Sequence, residues 1–194
     1  RQNYIDIKAG LERRGKYYLD RMIRQHQNKI TIKKLGDIIP IVIGSTPSTK
    51  EKKYWENGTH PWVSVRELKN TTTPITDSAK KLTDIAISEK KPKLVKADTV
   101  LMSFKLSIGK MGIAGCDLYT NEAIVHINTG NKMHNKWLYY YYLYYPPTRE
   151  ASGSIGGGSL NTKKLKKIKF INMPDNIKSQ IVQYLDNLET EKNK

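Results

Sequence analysis

From Ile41 to Met173 the apolar residues of this chain come in short bursts, each closed within a few positions by Gly, Pro, Asn or Asp. Ile41–Ile43 stops at Gly44. The runs at Trp62–Val65, Thr99–Phe104, Met111–Ala114, Ala123–Asn128 and Ile168–Met173 are punctuated in the same way. Runs of this length, bounded by turn formers, are strand signals. Their alternation is irregular and they do not read as a doubly wound βαβ array. The expected fold is α+β: a mixed domain of curled, mostly antiparallel β-strands with short helices, followed by a projecting C-terminal helix.

Helical period appears in three places. In "WLYYYYLYYPP" the aromatic rings suggest a stacking platform for unpaired bases. At helical spacing, however, Trp137, Tyr141 and Tyr144 or Tyr145 form one side, with Leu138 and Tyr142 adjacent, and Pro146-Pro147 ends the run. That pattern assigns the tyrosines to packing, with each hydroxyl left to find a partner. At the C-terminus, Pro174 and Asp175 suit a helix start, and Ile177, Ile181, Tyr184, Leu185 and Leu188 form an apolar stripe. Such a stripe on a projecting helix predicts a partner-binding face at Ile177, Ile181, Leu185 and Leu188; folding back on its own domain is the alternative. Near the N-terminus Tyr17–Gln27 reads as a helix with only Tyr18, Met22 and Gln25 on one side. This weak face divides the chain into a basic helical linker or the end of an upstream domain (1–33), a domain (34–174) and a C-terminal helix (175–194). A first residue of Arg1 rather than Met leads us to expect a fragment or a processed product.

Charge narrows the function. The chain holds 34 Lys and Arg against 18 Asp and Glu, a net charge of +16. An excess of this size points to a polyanion, most commonly nucleic acid; a lysine-rich surface without a ligand is the bland alternative. The basic residues do not lie on an amphipathic helix with a bulky apolar face, which argues against a membrane surface. A single cysteine, Cys116, excludes an internal disulfide framework and fits a reducing, cytoplasmic setting.

The residues form no convincing active site. Gly109-Lys110 is followed by Met111 and lacks the upstream glycine of a phosphate loop. The Gly153–Gly158 run reads as a flexible loop. His26, His60, His126 and His134 share no metal-ligand spacing with each other or with Cys116, so no metal site is expected. Asp77, Glu89 and the lysines after Glu89 imitate a nuclease pattern only loosely. No catalytic residue is assigned.

Six stretches in order carry a resemblance: "LGDIIPIVIGSTPS" (35–48), "YWENGTHPWVSVREL" (54–68), "ADTVLMSFKLSIGKMGI" (97–113), "TNEAIVHI" (120–127), "GGSLNTKKLKKIKFINMP" (157–174) and "SQIVQYLDNL" (179–188). Together they resemble a target-recognition domain of the specificity subunit of Type I restriction-modification systems. The resemblance implies a non-catalytic module that reads one half of a bipartite double-stranded DNA sequence. It also implies a following spacer helix that docks a DNA methyltransferase, as a subunit or a fused domain, with a second recognition domain as a further partner of that helix. No cofactor is implied for this chain; S-adenosylmethionine and the catalytic residues would belong to the methyltransferase.

Under that resemblance, Lys50, Lys52, Lys53, Lys105 and Lys110 are candidate phosphate contacts. Ser45, Thr46, Ser48, Ser64, Arg66 and Lys69 are candidate base readers on short loops. Ser107 and Gly109 would allow close approach of the backbone to DNA. Asn161 and Thr162 would cap a short helix whose Lys163 and Lys164 face DNA. Trp55 and Trp62 read as loop-to-core anchors. Two features depart from the family: Glu122 stands where Gln is usual, and 1–34 resembles neither its spacer nor its N-terminus. The alternative function is a repurposed recognition fold acting as a structural adaptor or a general nucleic-acid-binding part of a larger assembly.

Overall fold

The structure, a computed structural model, describes residues 2–105, 107–147 and 161–192. The glycine run at 153–158 lies outside these. A long helix, α1 (Gln2–Gln25), leads into β1 (Thr31–Lys34) and β2 (Val42–Ile43). Next come β3 (His60–Val63), β4 (Lys80–Leu82), the short helix α2 (Asp84–Lys90), β5 (Val100–Ser103), β6 (Met111–Ile113), β7 (Tyr119–Thr120) and β8 (Ile124–Ile127). The chain finishes with α3 (Lys132–Tyr144), α4 (Thr162–Lys167), β9 (Lys169–Asn172) and α5 (Asp175–Lys192).

The strands form three small sheets, ordered β2-β8-β5-β6, β4-β3-β7 and β1-β9. All pairings are antiparallel except β3 with β7. Strands β5 and β8 are buried along their whole length, and for this reason they stand out in the sequence as continuous apolar runs. Their period of two splits them between two cores. Val100, Met102, Val125 and Ile127 face the main core with α3, while Leu101 and Ile124 face a second cluster with Val63, Leu68, Val95 and Leu118. On the far side of β3 a third cluster joins Tyr54, Trp62, Leu82, Ala86 and Tyr119. The layers therefore run from helices through sheet β2-β8-β5-β6 to sheet β4-β3-β7 and then α2.

The tyrosine run is packing material. Trp137, Leu138, Tyr139, Tyr140 and Tyr142 are buried almost completely because α3 sits among the central sheet, β9 and α5. The Trp137 indole donates to the Ile171 carbonyl at 3.1 Å, and the Tyr140 hydroxyl donates to Asp186 at 2.7 Å. Lys136 reaches the same Asp186 carboxylate at 2.5 Å, tying α3 to α5 by charge as well.

The ends of the chain correct two expectations. Helix α1 is not a linker outside the main core: its Leu11, Leu19 and Met22 are part of that core, and β1 pairs residue for residue with β9. The stripe at Ile177, Ile181, Leu185 and Leu188 is likewise not an open partner face. All four side chains are buried inside the chain, where α5 packs on α1 and α3. An apolar stripe needs cover, and α1 supplies it. Tyr18 stacks on Tyr184 with ring centroids 3.7 Å apart, Lys192 pairs with Glu12 at 2.9 Å, and Arg14 lies 3.7 Å from Glu191. The two helices thus run antiparallel. Gly15 makes the crossing close: a Cβ there would strike the Tyr144 hydroxyl and lie 3.2 Å from Leu185. The sequence shows α1 only as a weak helix because its core residues are spread thinly among charges.

Truncating Leu185→Ala in this chain therefore creates an internal cavity and lowers unfolding free energy by about 2–5 kcal/mol, measured by urea denaturation. A stability equal to wild type would mean that the stripe is held in reserve for an external partner.

Candidate nucleic-acid interface

The turn from Thr120 to Ile124, which joins β7 to β8, gathers the surrounding loops by main-chain hydrogen bonds. Ser45 N donates to Thr120 O at 2.9 Å and Gly44 N to Ile124 O at 3.2 Å. Asn121 N donates to Val63 O at 3.0 Å, and Phe104 N donates to Ala123 O at 2.9 Å. The ends of β2, β3 and β5 are thereby held beside one another. The series continues at the β5–β6 turn, where Ser103 N donates to Lys110 O at 2.9 Å. Asn70 then clasps Met111, donating to its carbonyl at 3.0 Å and accepting its N–H on the side-chain oxygen at 2.7 Å.

One end of the central sheet consequently carries Ser45 and Thr46 after β2, Ser64, Arg66 and Lys69 after β3, and Lys105, Ser107 and Lys110 after β5. These are eight of the candidate residues, drawn from three loops that are far apart in sequence.

Local chemistry explains why the loops hold. A side chain at Gly44 would drive its Cβ into the Thr120 and Asn121 carbonyls, so only glycine permits this approach. Gly109 has φ of 84°, a left-handed turn that glycine adopts without strain. Ser64 forms a capping box: its hydroxyl donates to Glu67 at 2.8 Å and its N–H to the same oxygen at 2.6 Å. The Ser64 proton is thus engaged in shaping the turn that presents Arg66. Ser103 does the same for the next loop, donating its hydroxyl to the Ser107 carbonyl and accepting the Lys110 N–H at 2.9 Å. Thr46 donates its hydroxyl to the Glu122 carboxylate.

The remaining candidates sit elsewhere. Lys50, Lys52 and Lys53 belong to the loop that packs on α2. There Lys53 meets Glu89 at 2.9 Å, and its ammonium, with the Tyr54 hydroxyl, holds the Glu89 carboxyl below the usual carboxylate range. Lys52 meets Glu56 at 3.3 Å. Both pairs are exposed, and such pairs contribute little to stability. Ser48 is exposed, and its carbonyl accepts the Trp55 indole N–H at 3.0 Å. Trp55 meets Trp62 edge-on at 5.0 Å, and the Trp62 indole donates to the Ser45 carbonyl at 3.0 Å. Both tryptophans anchor the loop. Asn161 caps α4, accepting the Lys164 N–H at 2.9 Å. Lys163 and Lys164 thus stand on a helix that packs on the turn Leu35–Asp37 near sheet β1-β9, and not on the gathered loops.

Sequence reading missed Asn70 and Asn121, whose roles are mainly to hold backbone. Their signal was present: Asn70 has φ of 55°, a conformation that asparagine tolerates better than most residues. Beneath the turn lies His126, buried and bonded through Nε2 to the Thr120 hydroxyl at 2.7 Å. Burial lowers its pKa from 6.5 to about 4. Asp77 pairs with Lys81 at 2.9 Å, so this carboxylate and Glu89 are each engaged with a neighbouring lysine. Among the described residues, no three His, Cys, Asp or Glu side chains cluster closely enough to hold a metal ion, and no helix is long and apolar enough to cross a membrane.

The model of the family described as Type I restriction modification DNA specificity domain matches residues 27–194. The chain is 28% identical over 144 residues to the Type I restriction enzyme MjaIX specificity subunit of Methanocaldococcus jannaschii, covering 74% of this chain and 33% of that protein. It is 26% identical over 198 residues to the EcoR124I/EcoR124II specificity subunit of Escherichia coli, covering 95% of this chain and 48% of that protein. It therefore spans from a third to a half of the length of these curated relatives. The fold is similar to the HsdS subunit of Thermoanaerobacter tengcongensis, with a TM-score of 0.67 at 16% identity over 100% of this chain and 46% of that one. It is also similar to the S subunit of M. genitalium, with a TM-score of 0.62 at 16% identity over 99% of this chain and 50% of that one.

The state of His126 sets a pH dependence. Its pKa is lower folded than unfolded, so below the unfolded value the unfolded chain takes up the proton first. Stability is complete above about pH 6.5 and is lost progressively down to about pH 4. Urea denaturation at neutral pH and near pH 4.5 checks this. His126→Gln is expected to remove about 2–3 kcal/mol of the acid sensitivity of the wild type; an unchanged pH slope contradicts the assignment.

Proposed function

The chain belongs to the family of Type I restriction modification DNA specificity domains, and we propose that it is a non-catalytic module that recognises a specific sequence in double-stranded DNA. The observation that carries this reading is the gathering of three loops at one end of the central sheet. Polar and cationic side chains, among them Ser45, Thr46, Arg66, Lys69, Lys105 and Lys110, project from loops braced by main-chain bonds. Base reading requires this combination: short hydrogen-bonding groups held in register by a rigid frame. A guanidinium at Arg66, for which the described residues provide no carboxylate partner, suits bidentate recognition of a guanine edge.

The chemistry directed by such recognition lies outside this chain. The methyl donor S-adenosylmethionine and the residues that use it are assigned to a DNA methyltransferase, either a separate subunit or a fused domain, and this chain's part is to place that enzyme on its target. The paired helices α1 and α5, joined to the domain through α3, form the stiff arm through which placement is transmitted. Their exposed faces, rather than the buried stripe of α5, are the surface left for docking.

Selection from randomised duplexes tests the reading directly. One partly degenerate sequence is expected to be enriched above a salt-sensitive background; enrichment of none overturns it. Within an enriched site, Arg66→Ala is expected to weaken binding by about 1–3 kcal/mol and to relax preference at one base pair. Uniform weakening at every sequence would make Arg66 a phosphate contact instead.

A further inference from the structure

Nearly half of the net positive charge lies in two short stretches that the fold brings together. Residues 29–37 and 161–169 hold eight lysines, Lys29, Lys33, Lys34, Lys163, Lys164, Lys166, Lys167 and Lys169, and one carboxylate, Asp37. The pairing of β1 with β9 sets Lys34 directly opposite Lys169. Leu35 N then donates to Ile168 O at 2.8 Å, and Gly36 lies so close to α4 that a Cβ there would be 2.8 Å from the Lys166 Cβ. Strand, turn and short helix thus bring these lysines into one region of the molecule.

Nine lysines elsewhere in the molecule have a counter-charge. Lys16, Lys52, Lys53, Lys81, Lys96, Lys132, Lys136, Lys178 and Lys192 each meet a carboxylate within 4.0 Å. None of the eight lysines of the patch does so among the described residues. Lysines that serve solubility alone are usually interspersed with acids, and like charges set directly opposite one another work against strand pairing. Asp37 is exposed and the patch lysines, apart from the half-buried Lys164, are exposed as well. A concentrated, unneutralised lysine patch has the chemistry of a phosphate-binding surface.

We propose that this patch on β1, β9, α4 and the turn between them is a second DNA contact, which grips the duplex backbone without regard to sequence and supplies affinity rather than specificity. It rests on the reading of this chain as a DNA-recognition module. It differs from the gathered loops in location, being carried by another sheet, and in chemistry, being dominated by ammonium groups. Ammonium groups act on phosphates as point charges, and binding to phosphates releases condensed cations from DNA.

The test compares three proteins: wild type, a patch variant with Lys34→Gln, Lys167→Gln and Lys169→Gln, and a control with Lys81→Gln, Lys96→Gln and Lys132→Gln. Both variants lose the same charge. Binding is measured over a potassium chloride series to a duplex carrying the selected site, or any fixed duplex if none is enriched, and to a scrambled one. The patch variant should flatten the dependence of log affinity on log salt by about two to three, near 0.9 for each phosphate that is no longer neutralised. Its affinity should fall by the same factor on both duplexes, with the control close to wild type. A thermal melt no lower than that of wild type shows that the patch variant is folded, as removal of facing like charges predicts. An unchanged salt slope, or an equal change in the control, overturns the proposal. If wild type binds both duplexes equally, sequence recognition fails while the slopes still decide the patch; binding to neither at low salt ends both.

Discussion

The main-chain hydrogen bonds of the Thr120–Ile124 turn hold one end of the central sheet and its loops together. Gly44 and Ser45, Val63 and Phe104 come from three regions of the chain, and each is bonded to this turn. Without it the ends of β2, β3 and β5 would present their loops independently. The turn is itself buried from below by His126 and Thr120, which share a hydrogen bond, and burial favours the neutral His126 ring. The same burial that excludes water from the hinge of the loops is the source of its acid sensitivity.

The helices solve a second problem at the opposite side of the central sheet. The sheet's main-core face is covered by α3, and α3 can be buried nearly all round only because α5 and α1 cover its remaining sides. Charge follows the packing. Lys192 is buried between Glu12 at 2.9 Å and Glu189 at 3.2 Å, linking the C-terminal end of α5 to the middle of α1. Removing one member would leave an uncompensated buried charge, which is more damaging than the pair is stabilising. The helix pair is therefore specified by polar register as well as by its apolar seam.

The legible parts of the sequence were those where one physical effect dominates. Strands β5 and β8 announce themselves because both faces are buried, and α5 because its apolar period is clean. Strands β1 and β4 are lysine-rich, with β1 exposed along its whole length, and their existence depends on pairing partners that no local pattern reveals. Helix α2 is too short to show a clear period. Thr83 caps it by accepting the Ala86 N–H at 3.2 Å, and the lysines after Glu89 disguise its end as a polar turn. At the site, residue type identified Ser45, Thr46, Arg66, Lys69, Lys105 and Lys110 as candidates, but only the fold shows that they share one end of a sheet. Ser64 and Asn161 look like contact residues in sequence because capping and base reading draw on the same short polar side chains.

A separation of frame from readout follows. The bonds that gather the loops are made mostly by backbone N–H and C=O groups, so they are indifferent to the side chains carried at Arg66, Lys69, Lys105 and Lys110. Only a few positions are constrained by geometry, chiefly Gly44, where any side chain would strike two carbonyls. A frame of this kind lets the candidate reading residues change without disturbing the fold, because an exposed loop residue away from caps and special backbone angles costs little to replace. The lysine patch on β1, β9 and α4 would complete the division. Phosphates are the same at every site, so a surface that binds them supports any sequence the loops are altered to read.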